Sequence, residues 1–209
     1  MGTHYHHRAI SVAYLVLLNH FVKNPSPNTR TKAYLYISKN VTEISIETAL
    51  KDFIKGSRRV AILGIGNDLR TDDGVGPFIV NSMNIDSPYI MIENVGSVPE
   101  GFARPLADFG AERVIMIDAA DMRKPPGHLE LVTKDRIGGI NISTHSMPLS
   151  FLMMYLEQET GGQTILLGVQ PKSIQFGEGL TPEIQKVADG LILSLERILE
   201  QHIRGLEDV

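Results

Sequence analysis

From Arg58 onward, apolar positions fall into two alternating rhythms. Near-continuous runs occur in RRVAILGIGN, YIMIENV, RVIMIDA and TILLGVQ. Short unbroken runs bounded by polar or glycine-rich loops predict strands buried on both faces. HLELVT alternates instead, which predicts a strand at or near a sheet edge. Between these runs the spacing becomes helical. Helices are expected near 74–84 and 99–108, the second opened by capping-box spacing from Ser97 to Glu100. A third is expected from Pro148, with Leu149, Leu152, Met153 and Leu156 on one face. The last helix opens at Thr181-Pro182-Glu183, which reads as a cap, a rigid first turn and an acidic N-terminus. Behind them Ile184, Val187, Ala188, Leu191, Ile192, Leu195, Ile198 and Leu199 form one long apolar face. The order β-α-β-α-β-β-α-β-α predicts an α/β fold with a mostly parallel five-stranded sheet covered by helices on both sides. In such folds ligands sit beyond the carboxyl ends of the strands.

The amino-terminal part is patterned differently. Ala9 to Val22 is a greasy stretch of 14 residues interrupted by Asn19 and His20. A membrane span needs roughly 20 apolar residues, so no membrane insertion is expected. No small-residue cleavage site follows, which argues against a signal peptide. NPSPNTRTK, residues 24–32, has linker character, 33–45 has mixed β-type character, and 46–55 reads as a short helix. The main domain is therefore expected to begin between residues 45 and 55. The working division is an extension of unknown role, 1–50, and the main domain, 51–209.

Composition narrows the chemistry. The chain has 209 residues, no cysteine and a formal net charge of −4. Lack of cysteine removes thiol nucleophiles, thiolate zinc sites, iron–sulfur ligation and disulfides. It fits a cytoplasmic protein. Mild acidity argues against a nucleic-acid partner. After the first strand, GIGNDLRTDDGVG has Gly64 and Gly66 of a dinucleotide fingerprint, but Leu69 stands where its third glycine belongs. There is no P-loop, no Gly-x-Ser-x-Gly elbow and no His-Glu-x-x-His helix.

Acidic residues and one histidine remain. Asp72 and Asp73 are adjacent in a glycine-rich loop, where two carboxylates repel unless a cation, donors or a helix N-terminus offset them. A helix cap is the expected role of Asp72, whereas for Asp73 cap and ligand readings stand side by side. Asp118 ends the third apolar run, which puts it at the sheet rim, and Asp121 reads as a loop cap. His145 lies in STHSMP, just before the helix that Pro148 opens. A helix N-terminus disfavours imidazolium, so a neutral, ligand-competent ring is expected there, with a solvated loop histidine as the plainer reading. His128 reads as a surface residue, and His4, His6 and His7 as an exposed terminus. Two carboxylates and an imidazole, if they converge, suit a divalent first-row metal such as nickel, zinc, manganese or iron.

These motifs together carry a resemblance. GIGNDLRTDDGVG, VIMIDAADM, STHSMPLSFL and LLGVQP, in this order from about Arg59 to the last helix, resemble the nickel–iron hydrogenase maturation proteases, most of all the hydrogenase 3 type associated with formate hydrogenlyase. The resemblance implies an α/β/α sandwich. It implies an endopeptidase that removes the C-terminal tail of the hydrogenase large-subunit precursor once nickel has been inserted, so that the subunit can close around its centre. By motif, the metal-contacting residues fall on Asp73, Asp118 and His145, and the nickel involved is the substrate's own. Gly66 and Asn67 fall on the turn, and Asp72, Gly74 and Gly76 on the loop framework. Two rivals are a non-enzymatic nickel-binding or scaffold protein and a peptidyl-tRNA hydrolase. The latter wants a histidine soon after the Gly-x-Gly-Asn turn, and acidic residues follow here instead.

Overall fold

The computed structural model describes residues 46–134 and 148–208. The expectations for residues 1–45, and His145 itself, lie outside the described residues. Ser45–Val209 forms one compact unit, so the helix ending at residue 54 belongs to it whole.

Among the described residues five strands form the sheet: β1 (Val60–Ile65), β2 (Ile90–Gly96), β3 (Arg113–Ala119), β4 (Leu129–Val132) and β5 (Gln163–Val169). Their order is β2-β1-β3-β5-β4, parallel except for β4, which pairs antiparallel with β5 at one edge. The helices are α1 (residues 46–54), α2 (Val75–Ser82), α3 (Ala103–Phe109), α4 (Leu149–Thr160) and α5 (Pro182–Glu207). Single 3₁₀ turns, Thr71–Gly74 and Pro99–Phe102, precede α2 and α3.

Strand parity divides the core in two. Val60 and Ile62 of β1, Ile115 and Ile117 of β3, and Ile165 and Leu167 of β5 face one layer, packing with Ile46, Leu50 and Ile54 of α1, Ile79 of α2 and the apolar face of α5. The alternate residues Ala61, Leu63, Val114, Met116 and Leu166 face Leu106 of α3 and Leu152, Met153 and Leu156 of α4. Successive side chains of a strand point to opposite faces, so apolar runs this continuous require both faces covered. The result is the expected three-layer α/β/α sandwich. Leu156 is fully buried, and its truncation to Ala would cost about 2–5 kcal/mol.

The local start signals fare less well than the periodicity. Ser97 and Glu100 form no capping box: the turn before α3 has no side-chain cap, and the Ser97 hydroxyl is turned toward the Gly66 carbonyl at 3.5 Å. Thr181 does occupy the N-cap position of α5, but its side chain does not cap the helix. Its hydroxyl is engaged by a residue on a distant loop.

Candidate active site

The loop after β1 is shaped by close packing. Gly76, in the first turn of α2, lies so near the ends of β1 and β3 that a Cβ there would stand 2.3 Å from the carbonyl oxygens of both Ile65 and Ile117. Lack of a side chain lets the helix start directly on the strand ends. Gly66 has φ +139°, and a Cβ there would lie 1.8 Å from the Asp73 carbonyl oxygen. That oxygen accepts the Asn67 backbone N–H at 3.2 Å. The loop thus folds back on itself, and the turn holding Asp72 and Asp73 packs against β3.

The adjacent aspartates have different surroundings. Asp72 is fully buried. Its carboxylate accepts the backbone N–H groups of Lys172 and Ser173, both at 2.9 Å, and of Thr181 at 2.7 Å, and the Thr181 hydroxyl at 3.0 Å. This corrects the expected cap role: neither the turn nor α2 has a side-chain cap. Asp72 ties the loop after β1 to the segment joining β5 to α5. Buried charge is tolerated there because donors surround it.

Asp73 and Asp118 are the other two buried carboxylates among the described residues. Asp73 is 6% exposed and Asp118 1%. By strand parity Asp118 faces the α3 and α4 layer, and in register its neighbour on β5 is Gly168, which places no side chain beside it. One carboxylate oxygen of Asp118, Oδ1, is buried with no hydrogen-bond partner among the described residues. Burial pushes the Asp118 carboxyl well above its ordinary value of 3.8, and the charge of Asp73 pushes it further, while the Ala119 amide opposes the shift. The charge of Asp73 acts on Asp118, so these two predicted residues lie within electrostatic reach of each other. Asp73 sits where the N-terminus of α2 favours negative charge. Oxygen donors short of positive charge fit a divalent cation. Among the described residues no third His, Asp or Glu joins them.

Gln170 is a positioning residue that sequence reasoning missed. It follows β5, is 6% exposed, and its Oε1 accepts the backbone N–H groups of Met122 at 2.7 Å and Lys124 at 3.2 Å. Its Nε2 donates to Asp121 Oδ1 at 3.3 Å. Gln170 thereby fixes the loop that leaves Asp118. The one available signal was a polar residue closing a buried apolar run. Asp121 keeps its expected loop role, accepting the Arg123 N–H at 3.1 Å. His128 precedes β4 and faces Glu130 at 3.6 Å.

A mostly parallel sheet between two helical layers, with two buried aspartates near the carboxyl ends of its strands, defines an α/β protein whose candidate site lies at that rim. The particular family follows from comparison. The sequence model of the HycI hydrogenase maturation protease family matches residues 80–199. The hydrogenase 3 maturation protease of Escherichia coli K12 is 29% identical over 138 residues, 65% of this chain and 87% of the relative. The crystal structure of the [NiFe] hydrogenase maturation protease HycI from Thermococcus kodakarensis superposes with a TM-score of 0.68 at 30% identity, covering 73% of this chain and 99% of that one. The hydrogenase maturating endopeptidase HybD from E. coli superposes at 0.55 with 25% identity, covering 72% and 93%. This chain belongs to the hydrogenase maturation protease family and is a peptidase. The scaffold and RNA-hydrolase readings are not favoured. Among the described residues, no helix is long and apolar enough to cross a membrane.

Proposed function

We propose that this peptidase removes the C-terminal extension of a nickel–iron hydrogenase large-subunit precursor in the cytoplasm, after nickel insertion, using Asp73, Asp118 and His145. The observation that carries the proposal is the buried Asp118 oxygen, without a hydrogen-bond partner among the described residues and under the influence of the Asp73 charge. Among the described residues no cation offsets the charge on Asp118, and a precursor already holding nickel brings one. The ion is then part of the substrate and acts as a checkpoint: its charge lets both carboxylates ionise at once, which the free protein disfavours. His145, three residues before Pro148 in the chain, is the third ligand in this reading.

The chain has no cysteine, and the two aspartates supply acid–base chemistry. Water is therefore the attacking group, aspartyl-type in that a carboxylate activates it. Asp73, the less buried of the two, takes the water proton as the oxygen adds to the scissile carbonyl carbon. The C–N bond then breaks, and the proton passes to the departing amine. The test is to incubate the protein with nickel-loaded and nickel-free precursor and to weigh both products by mass spectrometry. Shortening of the loaded form alone is expected. Normal processing by Asp73→Asn, Asp118→Asn and His145→Ala variants alike would remove the assignment.

A further inference from the structure

Beside the carboxylates, the same rim carries exposed apolar side chains that hydrolysis does not use. Leu69 is 49% exposed, Ile174 40% and Phe176 85%. They sit on two loops whose backbones are bonded to each other. The Gly177 N–H donates to the Leu69 carbonyl at 2.9 Å and the Thr71 N–H to the Gly177 carbonyl at 2.8 Å, making an isolated parallel bridge between Arg70 and Gly177. That register sets Leu69 beside Phe176. The Arg70 guanidinium donates to the Ile174 carbonyl at 3.3 Å, and the Thr71 hydroxyl to the Ser173 carbonyl at 2.7 Å. Thr71 holds φ +48°, a costly conformation for a β-branched residue, kept by these bonds. Asp72 and Asp73 follow directly, and Asp72 binds the same 172–181 segment.

An aromatic ring standing in solvent on a backbone so firmly held loses little further freedom when it is covered. The family activity supplies the occupant. An endopeptidase must lay an extended polypeptide across its reacting carboxylates, and the platform is covalently continuous with them, Leu69 lying four residues before Asp73. We propose that Leu69, Ile174 and Phe176 form the subsite that seats an apolar residue of the substrate polypeptide beside the scissile bond. This rests on the proposed processing reaction and names the surface that selects its substrate.

The experiment uses the full chain and the nickel-loaded large-subunit precursor. Phe176→Ser and the double variant Leu69→Ser, Phe176→Ser are compared with wild type over a range of precursor concentrations. The expected result is a fall of about tenfold in kcat/KM, carried by KM, with kcat within about twofold. Phe151→Ser, at another solvent-facing position, on α4, is expected to behave as wild type. A second arm measures binding of the precursor to Asp118→Asn with and without Phe176→Ser, where about tenfold weaker binding of the double variant is expected. Unchanged kcat/KM and unchanged binding would overturn the subsite. So would a wild-type dimer that Phe176→Ser converts to monomer, since the patch would then be covered by a second copy. An uncleaved precursor with intact wild type would remove the processing reading instead, and the binding arm would still decide the subsite.

Discussion

The Asp72 carboxylate accepts the Thr181 backbone N–H at 2.7 Å across 109 residues of sequence. This bond, with three others to the same carboxylate, closes the loop after β1 onto the entrance of α5. Asp72→Ala would leave three backbone donors without their charged acceptor, at a cost of about 3–5 kcal/mol. Thr181→Ala removes one hydroxyl and keeps the N–H, so about 1 kcal/mol is expected. Urea unfolding of both variants checks the ratio. Equal losses would show that the carboxylate is not the clamp.

Asp118→Asn is expected to melt above wild type at neutral pH while losing about a hundredfold or more of its processing rate. The sign follows from the raised proton affinity. A carboxyl that holds its proton more tightly when folded contributes stability below its unfolded value near 3.8 and loses it as pH rises through the folded value. At neutrality the folded chain therefore loses stability at this group relative to the unfolded chain, and the neutral amide relieves it by about 1–3 kcal/mol. Calorimetry from neutral pH down to about pH 4 should show the gap between variant and wild type closing.

Gly66→Ala would force a methyl carbon to within 1.8 Å of the Asp73 carbonyl oxygen. Something must move, and Asp73 moves with it. A loss of about 2–4 kcal/mol is expected, together with a processing defect. Gly101→Ala meets no atom within 4 Å and should stay within about 0.5 kcal/mol of wild type. Paired urea titrations distinguish steric strain from a general intolerance of alanine.

At the opposite end of the sheet, His202 of α5 lines a cavity with Ser57, Arg58 and Glu112. Its Nε2 is buried and without a partner among the described residues. Burial lowers its pKa below the ordinary 6.5, opposed by the Glu112 charge and a backbone interaction at Ser57. The unfolded imidazole therefore takes a proton first, and stability present above 6.5 drains away as pH falls toward the folded value. Melting temperatures at about pH 7.5 and about pH 5.5 should drop less for His202→Leu than for wild type. Parallel curves would show that His202 does not contribute to acid sensitivity.

Much of the architecture was legible because burial imposes local periodicity. Runs such as VAILGI and RVIMIDA, short and bounded by polar or glycine-rich loops, read as strands covered on both sides, and the apolar face of α5 repeats at helical spacing from Ile184 to Leu199. The site was legible only as residue types. Asp72, Ser97 and Thr181 all carry the chemistry of helix caps, yet none is used that way. Thr181 and Asp72 satisfy each other across the fold instead. A local rule reads neighbours in sequence and cannot see an acceptor a hundred residues away.

By itself, then, the sequence determined the alternation of elements, the parallel sheet and the placing of carboxylates at strand ends, since each follows from which residues can leave water. The resemblance put Asp72 on the loop framework and Asp73 on the metal position, but only the tertiary structure shows that Asp72 is a clamp onto the 172–181 segment and that the charge of Asp73 acts on Asp118. That difference depends on the donors brought by the 172–181 segment, which satisfy Asp72, and on the packing of the 71–74 turn against β3, which sets the charge of Asp73 against Asp118. Gln170 belongs to the same category. Its amide acts only because two chain segments, 48 residues apart at Met122, meet at the end of one strand.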